Sequence, residues 1–337
     1  MAKTLVGVEI GADSVQVVEI RPGRAPRLLR CAAEPLPDGA ARDSEILNPQ
    51  AVAQAVRRAW RRAKIRKRTA VLGIGSRRVL VRAHTMPVMS RELVRRALPY
   101  QVEDVLPVPA SQAVLDFTPT SEQDGQQHGL LVAAVSETVE GLVDVLRAAR
   151  VTPTTIDLIP FGLARVALRT SAPEETVAFV YVGTSTTYVV ILSAGVPLLV
   201  RIIGADLAAA SAEDELTGDL EPAAEEFATD GDLDSLNLRR RRGSSRPDPV
   251  VDELAARLRG TYSFYTARPD APAIDRVLLS GIGASRNGVH GAVSDAFELP
   301  ADVVTVEDVV RTKRRLAGDL PLMLTSTVGI ALDGDRR

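Results

Sequence analysis

Two segments of this 337-residue chain repeat one device. Residues 7–20 read GVEIGADSVQVVEI and residues 179–192 read FVYVGTSTTYVVIL. Each is a run rich in Val and Ile, a glycine followed by small or polar residues, and a second apolar run. That is the pattern of two strands joined at a glycine turn. Gly183 follows Gly11 by 172 positions. This period is too long for a solenoid and about the length of a domain, so it predicts a duplicated α/β fold.

The residues after each copy support the duplication. Behind the first come a third strand, RLLRCAAE (27–34), a helix over 49–63 with Val52, Val56 and Trp60 on one face, and the strand TAVLGIG (69–75). The second continues with VPLLVRII (196–203), a helix over 250–265 whose apolar face holds Val251, Leu254, Leu258, Tyr262 and Tyr265, and RVLLSGIGAS (276–285). Both copies run in the order β-β-β-α-β, with helical spacing of three and four. The expected layout is a first half over 1–82, an inserted small α+β subdomain over 83–156, a return connection over 157–176, a second half over 177–320 and a closing helix over 321–337. The insert reads as a helix over 90–106 disturbed by Pro99, a strand pair about the turn SEQDGQQ, a helix over 136–150 and a strand over 154–158.

Composition narrows the function classes. Lys and Arg number 41 against 43 Asp and Glu, a formal charge of −2, and a dedicated nucleic-acid binder would show a basic excess. Cys31 is the single cysteine, so no internal disulfide forms, and no apolar run reaches the ~20 residues of a membrane span. The reading is a soluble cytoplasmic protein. His84, His128 and His290 are scattered without cysteine partners, so no metal site is expected. P-loop and nucleophile-elbow patterns are missing.

Two charged stretches carry competing readings. Over 206–249 an acidic run, AEDELTGDLEPAAEEFATDGDLD, meets RRRRGSSRPDP. Its composition predicts a mobile surface segment, with Arg239–Arg242 as an alternative phosphate or membrane contact. In RRAWRRAKIRKR (57–68) the preferred reading is an amphipathic helix with Trp60 and Ile65 in the core and solvated arginines. The alternative is a nucleic-acid or membrane face.

The glycine turns themselves suggest a ligand. A turn with a bare glycine leaves backbone N–H groups free, and Ser or Thr hydroxyls add donors, so a phosphate fits against it. Gly11, Ala12, Asp13 and Ser14 form one such turn; Gly183, Thr184, Ser185 and Thr186 form the other. In a duplicated fold they would face each other across an interdomain cleft. Gly281, Gly283 and Ala284, after a buried strand, would pass flat against a nucleoside.

These motifs, with TVGIAL (327–332), resemble the phosphate, adenosine and closing motifs of the actin-like (ribonuclease H-like) ATPase superfamily. Three longer stretches, ALPYQVEDVLPVPASQAVLDFTP (97–119), LLVAAVSETVEGLVDVLRAARVTPTTIDLIPFGLAR (130–165) and LRGTYSFYTARP (258–269), resemble its PilM family of type IV pilus assembly proteins. The likeness spans nearly all the chain except roughly 206–249. It implies a cytoplasmic adaptor at the inner face of the membrane that binds the N-terminal cytoplasmic peptide of an inner-membrane PilN protein. PilN and PilO would connect it to the pilus motor ATPase, and membrane association would come only through these partners. The resemblance also implies a peptide groove built partly from Ala83 to Thr120, and an ATP site with Mg²⁺ and little or no hydrolysis.

Five departures from the family pattern predict a weakened or vestigial nucleotide site. Glu9 and Tyr181 stand where an Asp precedes each phosphate turn, and a phenol does not replace a carboxylate on Mg²⁺. Gln16 replaces a common Lys, Ile282 the middle glycine of the adenosine turn, and Ala228, in PAAEEFA (222–228), a base-contacting Lys. No catalytic residue is assigned. An actin-like kinase, with Asp157 as its base, is the enzyme alternative. The resemblance to FtsA would require an amphipathic C-terminal helix after TVGIAL, and that to GspL a membrane span. Self-association and polymerisation stay open.

Overall fold

The computed structural model describes residues 4–42, 44–106, 108–204 and 248–332. The expectations for the acidic run, Arg239–Arg242 and Ala228 lie outside these residues.

The first sheet is built from β1 (Leu5–Ile10), β2 (Ser14–Arg21) and β3 (Arg27–Pro35), antiparallel in succession. A two-residue pair, β4 (Ala41–Arg42) and β5 (Glu45–Ile46), leads into helix α1 (Pro49–Ala63). Asn48 caps α1 by accepting from the N–H of Ala51 at 3.1 Å, and Pro49 occupies the first turn, where its missing donor costs nothing. Val52, Val56 and Trp60 are buried as the spacing predicts, and Ile65 joins them in the core. The chain returns in β6 (Thr69–Ile74), parallel to β1.

Next comes the insert. Strands β7 (Leu80–Pro87), β8 (Ala113–Gln123) and β9 (Gln126–Val135) form a separate sheet in the order β7-β9-β8, covered by α2 (Arg91–Gln101). Met86, Val94, Leu98, Val102, Phe117 and Leu131 give it a small core of its own. The helix expected over 90–106 stops at Gln101, two residues after the helix-breaking Pro99, and passes into a 3₁₀ turn at Glu103–Val105. Reading 83–156 as one insert joins parts that the fold separates. Helix α3 (Ser136–Ala148) packs on the first sheet beside α1, and β10 (Thr152–Leu158) is that sheet's edge, parallel to β6. Period and strand length look the same in either sheet, so pattern alone did not assign them.

Helix α4 (Ile159–Thr170) then crosses to the second half. There β11 (Thr176–Val182), β12 (Thr186–Ser193), β13 (Val196–Gly204), helix α5 (Pro249–Thr266) and β14 (Arg276–Ser280) repeat the first half's succession. Helix α6 (Val289–Phe297) and a three-residue strand, β15 (Ala301–Val303), complete it. The sheet orders are β10-β6-β1-β2-β3 and β15-β14-β11-β12-β13, the same arrangement twice. The described residues end with α7 (Val306–Val309), α8 (Leu320–Met323) and α9 (Thr325–Ala331).

Five layers result. α1 and α3 cover the outer face of the first sheet, and α5 and α6 that of the second. Between the sheets lie α4 and α9, whose Leu163, Val166, Val328 and Ile330 share one core with Ile20 of β2 and Phe179 of β11. Strands β1, β11 and β12 are buried on both faces, which explains their unbroken Val/Ile runs. α4 and α9 approach so closely that a Cβ on Gly329 would lie 2.4 Å from the carbonyl oxygen of Gly162. No described helix is long and apolar enough to cross a membrane.

Candidate functional site

The two glycine turns close in the same way. The N–H of Gly11 donates to the carbonyl of Ser14 at 2.9 Å, and that of Gly183 to Thr186 at 3.0 Å. Both turns sit at the ends of the central strands β1 and β11, and they meet across the cleft. Thr184 Oγ1 donates to Asp13 Oδ2 at 2.8 Å, a direct bond between the halves. Around this contact lies a cleft, partly open to solvent, lined by both turns and by Glu9, Gln16, Ser44, Gly75, Tyr181 and Tyr188.

Of the predicted site residues, Glu9, Gly11, Ala12, Asp13, Gly183, Thr184, Ser185 and Thr186 line the cleft. Ser14 does not; it is buried, and its hydroxyl donates to the neighbouring Asp13 Oδ1 at 3.0 Å. From the third glycine element only Ile282 reaches the cleft. Gly281 has φ +92°, and a Cβ there would meet the Val182 carbonyl oxygen at 2.3 Å, so glycine is required for β14 to turn away past β11. Gly283 is buried in the adjoining 3₁₀ turn, and Ala284 packs on the second half's outer core.

Glu9 is buried within a polar cluster. Ser326 Oγ donates to Glu9 Oε2 at 2.6 Å; Thr327 Oγ1 stands 3.2 Å from the same oxygen and 2.9 Å from Gln16 Oε1. These hydroxyls come from α9, so the closing helix is fastened to β1 and β2 beside the first glycine turn. Burial pushes the Glu9 carboxyl from 4.5 up to about 7; the two hydroxyl contacts oppose the shift and the charge of Asp13 adds to it.

Tyr181 mirrors Glu9 in the second half. Its ring is buried beside Tyr188, with centroids 6.0 Å apart, and its hydroxyl donates to the Met323 carbonyl at 2.7 Å. Burial, and secondarily the nearby Glu9 charge, raise its pKa and keep it a neutral donor. Tyr188 donates to the Gly75 carbonyl at 3.1 Å, tying β12 to the end of β6. Ser326 and Tyr188 were missed by sequence reasoning, and Thr327 was read only as the start of the closing motif, although the hydroxyl run Thr325–Thr327 was a visible signal.

Asp157 does not reach the cleft. Arg165 Nη2 donates to its carboxylate, and Arg165 Nε donates to the Gly329 carbonyl at 3.0 Å, so this pair supports the α4–α9 crossing. The histidines stay apart: His128 bonds Thr85, His290 bonds the Ala301 carbonyl, and His84 lies edge-on to Phe117. Among the described residues no cluster of three His, Cys, Asp or Glu side chains converges.

Comparison with known proteins places this geometry in context. A family model described as type IV pilus assembly protein PilM matches residues 7–333. A solved structure titled as the PilM-PilN type IV pilus biogenesis complex superposes with a TM-score of 0.80 at 25% identity, covering 98% of each chain. The ethanolamine utilization protein EutJ from Carboxydothermus hydrogenoformans superposes with a TM-score of 0.54 at 13% identity, over 98% of this chain and 90% of that one. The fold is accordingly the duplicated actin-like α/β fold.

Proposed function

The chain belongs to the PilM family of type IV pilus assembly proteins, and on that premise we propose that it is a cytoplasmic adaptor of the pilus machine. It binds the N-terminal peptide of a PilN-type inner-membrane protein and, through it, joins PilO and the motor ATPase. The observation that carries this reading is the likeness to the PilM-PilN complex over 98% of both chains, insert included. A second feature supports a docking role for residues 83–120. Val88, Leu93, Tyr100, Val105 and Val114 are exposed there, and Tyr100 is 84% exposed. Leu93 and Tyr100, seven positions apart on α2, share a helix face that nothing in the described residues covers.

The test is a calorimetric titration with the N-terminal peptide of the PilN-like protein encoded beside this one, with and without Mg-ATP. Saturable binding is expected in both conditions, and no binding in either would remove the pilus reading. Tyr100→Ser should weaken the peptide at least about tenfold, since interface energy concentrates in large aromatic anchors, and should leave the melting temperature unchanged. Equal affinity in parent and variant would move the docking surface off α2.

The cleft reads as a nucleotide site of reduced strength. Its residues fit Mg²⁺ poorly: Glu9 is partly protonated near neutral pH and is held by Ser326, while Tyr181 offers a phenol already given to Met323. Asp13 adds a negative charge where a phosphate would enter. Asp13→Asn should therefore raise ATP affinity about tenfold, roughly 1.4 kcal/mol. Tyr181→Asp should raise it only with Mg²⁺ present, at some cost in stability, because it buries a second carboxylate beside Glu9. Fluorescent-nucleotide titration in Mg²⁺ and in EDTA checks both, and unchanged affinity in both variants would show that these side chains do not limit the site.

A further inference from the structure

At the end of the first sheet opposite the cleft, the fold gathers basic residues that are far apart in sequence. β1 begins at Leu5 on this rim and ends at the phosphate turn, so rim and cleft lie at opposite ends of the same strand. Four connections meet here. The β2–β3 turn brings Arg24; the loop from α1 to β6 brings Lys64, Arg66 and Arg68; the α3–β10 loop adds Arg150; and the segment after α7 brings Lys313 and Arg314.

Backbone and side-chain bonds fix these segments beside one another. Thr152 N donates to the Arg68 carbonyl at 2.7 Å, and Lys67 Nζ to the Thr4 carbonyl at 2.5 Å. Leu28 N donates to the Arg311 carbonyl at 3.0 Å, and Arg311 N to that of Pro26 at 2.9 Å. The rim therefore runs the width of a five-stranded sheet, about 20 Å at ~4.8 Å per strand. Apart from the half-buried Lys67, the basic side chains named here are exposed, and none has an ion-pair partner among the described residues. Several acids close to these segments are already engaged: Glu19 pairs with Arg30, Glu307 with Arg315, and Asp308 accepts from Thr305.

In a chain of formal charge −2, such a one-sided concentration calls for an anionic surface as its counterpart. Three features favour a lipid surface. The rim segments supply no exposed large apolar side chain, whereas a protein interface needs an apolar centre. They supply no exposed aromatic ring, which single-stranded nucleic acid would stack upon. Their charges line the strand ends of a sheet, a shape suited to a plane of head groups. We propose that this rim is a binding site for the anionic phosphates of a membrane surface, acting without any protein partner. The glycine-turn cleft then faces away from the bilayer and stays open to solvent ligands.

The experiment is co-sedimentation of the full chain with vesicles of phosphatidylcholine alone and with about 30% phosphatidylglycerol, at low and at physiological salt. No PilN peptide is added, so the result does not depend on the adaptor reading. Binding is expected only to the anionic vesicles and should weaken with salt. Combined Arg66→Glu, Arg68→Glu, Lys313→Glu and Arg314→Glu should lower the apparent partition at least about 100-fold, on the basis of about fivefold per basic side chain removed. A control reversing Arg91, Arg95 and Arg96 on α2 should bind like the parent, and melting curves confirm that both variants are folded. Three outcomes would overturn the proposal: no binding to anionic vesicles, equal loss in rim variant and control, or rim-dependent binding of a single-stranded oligonucleotide with none to vesicles.

Discussion

Gly329→Ala is expected to destabilise this protein by about 2 kcal/mol or more, although alanine is the better helix former. In an exposed helix the same exchange gains up to about 1 kcal/mol, because glycine loses more backbone freedom on folding. At Gly329 the new Cβ would stand 2.4 Å from the carbonyl oxygen of Gly162 and 2.6 Å from its carbon. Both atoms are backbone, so no rotamer change relieves the contact, and α4 and α9 must separate. Overpacking of this kind costs typically about 1–3 kcal/mol. Here it also disturbs the one core shared by both sheets, since Leu163, Phe179, Val328 and Ile330 pack around the crossing. Gly141→Ala supplies the opposite sign. Gly141 lies inside α3 with nothing within 4 Å of its would-be Cβ, and the exchange should stabilise by up to about 1 kcal/mol. Urea unfolding of the two variants beside the parent decides the matter. If both glycines respond alike, helix propensity rather than the α4–α9 contact governs Gly329.

The contrast between these glycines also shows what the sequence reveals and what it hides. The duplication was legible because the central strands are buried on both faces and must be written in Val and Ile. The same holds for α1, where Val52, Val56 and Trp60 repeat at helical spacing. Short elements were not legible. β15 has three residues, and its place as the counterpart of β10 is set by pairing with β14, not by pattern. α3 and β10 looked like parts of the insert because nothing local says which sheet a helix will cover. The two glycine turns were read as a facing pair from their chemistry, and the Thr184–Asp13 bond realises that pairing. Ser14, Gly281, Gly283 and Ala284 shared the chemistry and not the position. The Glu9 cluster was beyond sequence reading, since Ser326 and Thr327 lie 317 and 318 positions away and meet Glu9 only after both halves have folded. The departures at Glu9 and Tyr181 were visible as letters. Their fastening to the closing segments, through Ser326 and Met323, was not.

That fastening makes stability depend on pH in a defined direction. Glu9 is raised from 4.5 to about 7, chiefly because it is buried. A carboxyl with a raised pKa binds its proton more tightly in the folded state. Below pH 4.5 Glu9 is protonated whether the chain is folded or not, and its burial costs nothing in charge. Between pH 4.5 and about 7 the unfolded chain releases the proton while the folded chain keeps it, so stability falls steadily as pH rises. Above about 7 the folded carboxyl ionises too, and the loss levels off. A shift of this size at about 1.36 kcal/mol per unit amounts to about 3 kcal/mol. Glu9→Gln removes the ionisation and keeps an oxygen to accept from Ser326. The variant should match the parent near pH 4.5 and exceed its stability by about 3 kcal/mol at about pH 8. Urea midpoints at closely spaced pH values across this window give the difference curve directly. A difference that stays flat with pH would mean that Glu9 is ionised in the folded protein throughout, held by Ser326 and Thr327 strongly enough to offset its burial. The carboxylate would then be charged in the cleft and available to a metal ion, which is the opposite of the weakened nucleotide site proposed above.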